Sequence, residues 1–121
     1  MSHHRLPHYL RTHRRRSGLT QAELASLLGA SAGTKISRYE SFARFPSVVT
    51  VLAYEIIFNQ PVSELFAGVY DDVLRDVRGR AAQLAETLSA GPADIQTNRK
   101  LALLRNIIDI DPKGRIRPIE P

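Results

Sequence analysis

Between Leu19 and Glu40 the chain carries two short runs, Leu19-Thr20-Gln21-Ala22-Glu23-Leu24-Ala25-Ser26-Leu27-Leu28-Gly29 and Thr34-Lys35-Ile36-Ser37-Arg38-Tyr39-Glu40. Each has the pattern of an amphipathic helix. In the second, Ile36 and Tyr39 lie three apart and face inward, which leaves Thr34, Lys35, Ser37 and Arg38 pointing outward. Hydroxyls and cations on one exposed helix face are what a helix needs to reach base edges and phosphates in a major groove. A guanidinium bonds both acceptors of a guanine edge, worth about 1–3 kcal/mol of discrimination. Arg38 suits that role or a phosphate contact, and Thr34 and Lys35 equally suit positioning the helix on the backbone.

Other chemistries find little support. His3, His4, His8 and His13 lack an acidic or thiol partner, and Pro7 interrupts the helix that would place His4 one turn from His8, so no metal site is expected. Asp71, Asp72 and Asp76, like Glu55 and Glu64, have no paired acid and base in an apolar pocket. Neither a phosphate loop nor a nucleophile constellation is present. No enzymatic activity and no cofactor are expected.

The net charge of +5 is unevenly placed. Residues 1–45 hold eight Lys or Arg against Glu23 and Glu40, a balance of +6, whereas residues 46–121 hold nine against ten, a balance of −1. All the excess positive charge therefore accompanies the two-helix motif, as expected of a surface that faces a polyanion; a merely solvated basic face is the competing explanation. The chain has no cysteine and no run approaching the roughly 20 apolar residues of a membrane span. Its first residues lack the apolar core of a signal peptide, so a cytoplasmic protein without a membrane partner is expected.

The elements that must hold the motif read as helices throughout. Seven glycines, seven prolines and few alternating β-branched runs favour an all-α fold for these 121 residues. Pro7 opens a helix over about 6–16 that Ser17-Gly18 ends. Thr20 with Glu23 forms a capping box for a helix over about 20–28, whose buried face is Leu24, Ala25, Leu27 and Leu28 and which Gly29 closes. A third helix starts between Ala32 and Thr34 and ends near Ser41. Ser47 caps a fourth, 48–58, so apolar that it reads as buried nearly all round, in part against a second chain. Ser63 starts a fifth. Beyond Gly68, Val69, Val73, Val77, Ala81, Leu84 and Leu88 form an apolar stripe over 69–89, and another helix follows over 94–108. The tail from Asp111 reads as a short hairpin or a disordered end.

Taken together, Leu-Thr-Gln-Ala-Glu-Leu-Ala at 19–25, Gly29, Ile36-Ser37-Arg38-Tyr39-Glu40, Pro46-Ser47, Leu52 and Val62-Ser63-Glu64-Leu65-Phe66 resemble the XRE family, the helix-turn-helix domains of phage repressor and Cro type. The resemblance covers about residues 6–67. It implies a five-helix repressor-like DNA-binding domain over 1–68 with a C-terminal helical extension over 69–121. It also implies that Gln21 contacts a phosphate and braces the recognition helix, that Thr34, Lys35, Ser37 and Arg38 read bases or phosphates, and that Arg44 lies near the phosphates or the minor groove. Arg14 and Glu40 look like a structural ion pair between the first and third helices.

Two positions depart from the family pattern. Ile36 lies seven residues after Gly29 rather than six, which places one extra residue within Ala30-Ser31-Ala32-Gly33. Phe42-Ala43 stands where a glycine is common. The function implied is a transcription regulator, a homodimeric repressor on double-stranded DNA. The alternative is an antitoxin-like interaction module whose residues 69–108 bind a protein partner; the two extra helices would otherwise serve the dimer or cover the first domain's own apolar surface.

Overall fold

The computed structural model describes residues 6–30 and 32–110. All regular structure among them is helical. The contacts divide the chain into two units, Met1–Val69 and Tyr70–Pro121.

In the first unit, α1 spans Leu10–Ser17. It begins later than the proline suggests, because the preceding segment is held by other parts of the chain. The Tyr9 N–H donates to the Leu65 carbonyl at 2.8 Å, and the Val69 N–H donates to the Pro7 carbonyl at 3.1 Å. Gly18 ends α1 at φ 81°, a left-handed conformation that costs glycine no Cβ clash. Helix α2 spans Gln21–Leu27 behind the capping box: Glu23 N–H donates to Thr20 Oγ1 at 3.0 Å and Thr20 N–H to Glu23 Oε1 at 2.9 Å.

Helix α3 spans Gly33–Glu40, and α4 spans Val48–Phe58 behind the Ser47 cap. The short α5, Val62–Leu65, follows; it starts one residue before Ser63, and its Val62 N–H donates to Glu55 Oε1 at 3.0 Å.

Leu10, Leu24, Ala25, Ile36, Tyr39, Tyr54, Leu65 and Phe66 form one buried cluster, with Leu19, Leu28, Val51, Ile57, Phe58, Val62 and Val69 packed against it. Burying a large apolar side chain of this kind contributes roughly 1.5–3 kcal/mol, so α1–α5 are held chiefly by this shared centre. Two expectations about burial fail. Leu27 is 58% exposed, because at about 100° per residue it lies well off the direction shared by Leu24, Ala25 and Leu28. In α4 only Tyr54 is fully buried, while Val48, Val49, Leu52 and Ile56 are exposed. The core reaches one side of this helix, and its apolar composition extends beyond what the core covers.

Helix α6, Ala67–Ser89, runs from the first unit into the second, with Gly68 inside its first turn. Helix α7, Ile95–Ile108, is capped by Asp94, whose Oδ1 accepts from Thr97 N–H at 2.7 Å. In the second unit the buried side chains are Leu74, Ala81 and Leu104, while Val73, Val77 and Leu84 are exposed. The stripe expected from 69 to 88 therefore does not stay inside. At about 100° per residue Leu74 lies only about 20° from Ala81 and shares its face, whereas Val77, Leu84 and Val73 lie about 40°, 60° and 80° to the other side of Ala81, progressively off the buried direction. The tail from Asp111 lies outside the described residues.

Candidate nucleic-acid interface

Helices α2 and α3 make the most extensive contact between any two helices of the first unit. Gly33, the first residue of α3, explains how they approach so closely. A Cβ there would sit 3.2 Å from the Ala22 backbone nitrogen and 3.3 Å from the Gln21 carbonyl carbon and Cβ. Gly33 thus gives α3 a side-chain-free entry seated on the first turn of α2. Gly29 takes φ 72°, and the Ala30 N–H closes back onto the Ala25 carbonyl at 2.8 Å. Ser31 lies outside the described residues.

The far end of α3 is secured by charge. Glu40 Oε2 accepts from Arg14 Nε at 2.5 Å, and Oε1 accepts from Arg14 Nη2 at 3.0 Å and from Gln21 Nε2 at 3.1 Å. Arg14 Nη1 also donates to the Leu19 carbonyl at 3.0 Å. One carboxylate therefore joins α1, α2 and α3. Its hydrogen bonds hold the Arg14 guanidinium still more firmly protonated than usual. Gln21 is a brace between α2 and α3 in this structure.

With Ile36, Tyr39 and Glu40 turned inward, Thr34, Lys35, Ser37 and Arg38 are all exposed. The Arg38 carbonyl accepts from Ser41 Oγ at 3.2 Å and from the N–H groups of Ala43 at 3.0 Å and Arg44 at 3.3 Å. This fixes the loop after α3 and brings exposed Arg44 back beside the end of the helix. The result is a polar, cationic helix face with hydrogen-bonding side chains free and its backbone locked. Such a face suits groove and phosphate contacts.

Sequence reasoning missed the group that sets this loop. His8 is buried, with its ring centroid 4.8 Å from that of Phe42, 5.4 Å from Phe66 and 6.2 Å from Phe45. Neither ring nitrogen has a hydrogen-bond partner among the described residues. Burial lowers its pKa below 6.5, outweighing the opposite pulls of the nearby Tyr39 backbone and of the Glu40 carboxylate. Phe42 adopts φ 65°, the left-handed conformation of the glycine common at that position. The departure at Phe42 was the only trace of this arrangement in the sequence. Among the described residues no group of three His, Cys, Asp or Glu could hold a metal, and no helix is long and apolar enough to cross a membrane. His3 and His4 lie outside the described residues.

Residues 5–54 match the model of a family described as "Helix-turn-helix domain". The matched segment contains α1 to α3 and much of α4, and its similarity to that family is consistent with a helix-turn-helix domain of the XRE-like kind. No curated protein and no solved structure matches the chain.

Proposed function

We propose that the protein is a sequence-specific, non-enzymatic transcription regulator that represses as a homodimer on palindromic DNA. The observation that carries this is the exposed Thr34-Lys35-Ser37-Arg38 face on a helix braced at both ends, by Gly33 and by Glu40. In this reading Arg38 and Ser37 reach base edges, Thr34 and Lys35 set the helix on the backbone, and Gln21 and Arg44 contact phosphates. Gln21 can serve both roles, because an amide that donates to Glu40 through one N–H keeps another for a phosphate. One recognition helix touches only a few base pairs, so two half-sites about 34 Å apart are needed for useful specificity.

Selection of bound duplexes from a random pool at two salt concentrations tests this. A palindromic consensus whose preference survives the higher salt is the expected result; sequence-blind, salt-labile binding overturns it. A second reading rests on the exposed Val73, Val77, Leu84, Ile95 and Leu103 of the second unit. An interaction module of antitoxin type would use residues 69–108 to bind a protein partner, and duplex selection would then give no consensus.

A further inference from the structure

We propose that His8 is the positioning residue of the loop after α3, seating it while neutral and releasing it when protonated, so that the loop's hold on DNA weakens in acid, an inference that rests on the DNA-binding reading. The His8 side chain is 2% exposed, yet the two rings that cover it, Phe42 and Phe45, are 41 and 56% exposed. A thin lid drawn from a single loop therefore separates the imidazole from water. On its other side lies Phe66, which belongs to the core.

The neighbours of His8 leave the loop as the part that must move. Its own backbone is pinned on both sides, since the Tyr9 N–H donates to the Leu65 carbonyl and the Val69 N–H to the Pro7 carbonyl. From α3 the ring faces Glu40, whose oxygens already accept from Arg14 and Gln21, and the Tyr39 backbone, whose carbonyl already accepts from the Phe42 N–H. From the loop it faces the Phe42 and Phe45 rings, with Arg44 exposed; from the end of α5 it faces Phe66, while the charge of Glu64 acts on His13. A protonated imidazole thus meets only engaged acceptors and apolar rings. A buried cation without a partner is costly, so the charged ring draws water in through the lid. The loop has little to oppose this. Phe42 sits at φ 65°, a conformation that strains a residue bearing a Cβ, and a segment held by so few contacts opens cheaply. The Ala43 and Arg44 N–H groups share the Arg38 carbonyl, so release frees Arg44 and the last turn of α3 together.

The test uses the full chain without DNA and follows hydrogen exchange of the Ala43 and Arg44 amides by NMR at about pH 5.5 and about pH 8. Their protection, corrected for the intrinsic pH dependence of exchange, is expected to fall about tenfold at the lower pH. The Tyr9 amide should remain about tenfold better protected than either, which marks release of the loop rather than of the segment that carries His8. His8→Leu is expected to abolish the fall, and His13→Gln to retain it. His8→Phe takes the place of the Leu variant if that variant loses its helical circular dichroism.

Duplex binding is read separately. For duplexes selected with the unmodified chain, the dissociation constant should rise about threefold from the higher to the lower pH, and not in His8→Leu. That sign is distinctive, because protonating histidines otherwise adds positive charge and tightens binding to a polyanion. Loop protection that is the same at both pH values, that falls equally in His8→Leu, or that falls to the level of Tyr9 overturns the inference. So does duplex binding that tightens by the same factor in both chains at the lower pH. A loop that opens in acid on a chain that binds no duplex overturns the DNA-binding reading while upholding the seating of the loop by His8. A chain that binds a palindrome with a loop indifferent to pH overturns the role of His8 alone.

Discussion

Arg14 and Glu40, twenty-six residues apart, meet in a two-bond ion pair that fastens α1 to the last residue of α3. Both side chains are largely removed from solvent, 13% and 4% exposed, so their mutual attraction is poorly screened and neither charge is easily left alone. Replacing Glu40 by Ala strands the guanidinium and leaves the Gln21 amide without its acceptor. The expected loss in urea denaturation is about 3 kcal/mol. The paired change Arg14→Met with Glu40→Leu should recover most of it. If the double variant is as unstable as the single, the cost does not come from a stranded charge.

Arg38 is exposed, and among the described residues its side chain enters no hydrogen bond or ion pair. Arg38→Ala is therefore expected to leave the thermal unfolding midpoint unchanged while relaxing sequence preference at one operator position by about 1–3 kcal/mol. Competition binding against operators varied at each position measures this. A uniform loss across all sequences, with a shallower salt dependence, would instead assign Arg38 to a phosphate.

His8 couples the fold to pH. Its pKa is lowered by burial, and that of His13 is lowered by burial and by Arg16, so the unfolded chain takes up a proton more readily than the folded one. Stability is therefore highest above about pH 6.5, falls as the pH drops through that value, and levels off once the folded state's own lower pKa is passed. His8→Leu removes two unpartnered nitrogens. It should flatten part of this slope and leave stability at pH 8 equal or higher by about 1 kcal/mol. Denaturation curves at pH 5, 6, 7 and 8 give the comparison, and identical slopes would show that His8 does not carry the effect.

Phe42 trades backbone strain for ring packing: φ is 65°, and the ring lies against His8. Phe42→Ala keeps a Cβ in the left-handed conformation and discards the ring, whereas Phe42→Gly discards the ring and the strain together. The Gly variant should be more stable than the Ala variant by about 1 kcal/mol. Equal stabilities would mean that the loop after α3 relaxes once the ring is gone.

What the sequence determined by itself was local. The Thr20–Glu23 box, the Ser47 cap and the helix ends at Gly18 and Gly29 involve groups within a turn of one another, so residue type and spacing suffice to place them. The same holds for the outward set of α3, because Ile36 and Tyr39 define the inner face through helical period alone.

Tertiary structure decided what depends on a partner distant in sequence. Gln21 joins Glu40 across nineteen positions, and His8 gathers Phe42, Phe45 and Phe66 from two later segments. Only packing showed that α4 is covered on one side and that α6 buries Leu74 rather than Val73 and Val77. Hydrophobic composition records how much surface a helix would gain by burying, but not which face meets another element, since that is set by the shape of the whole core.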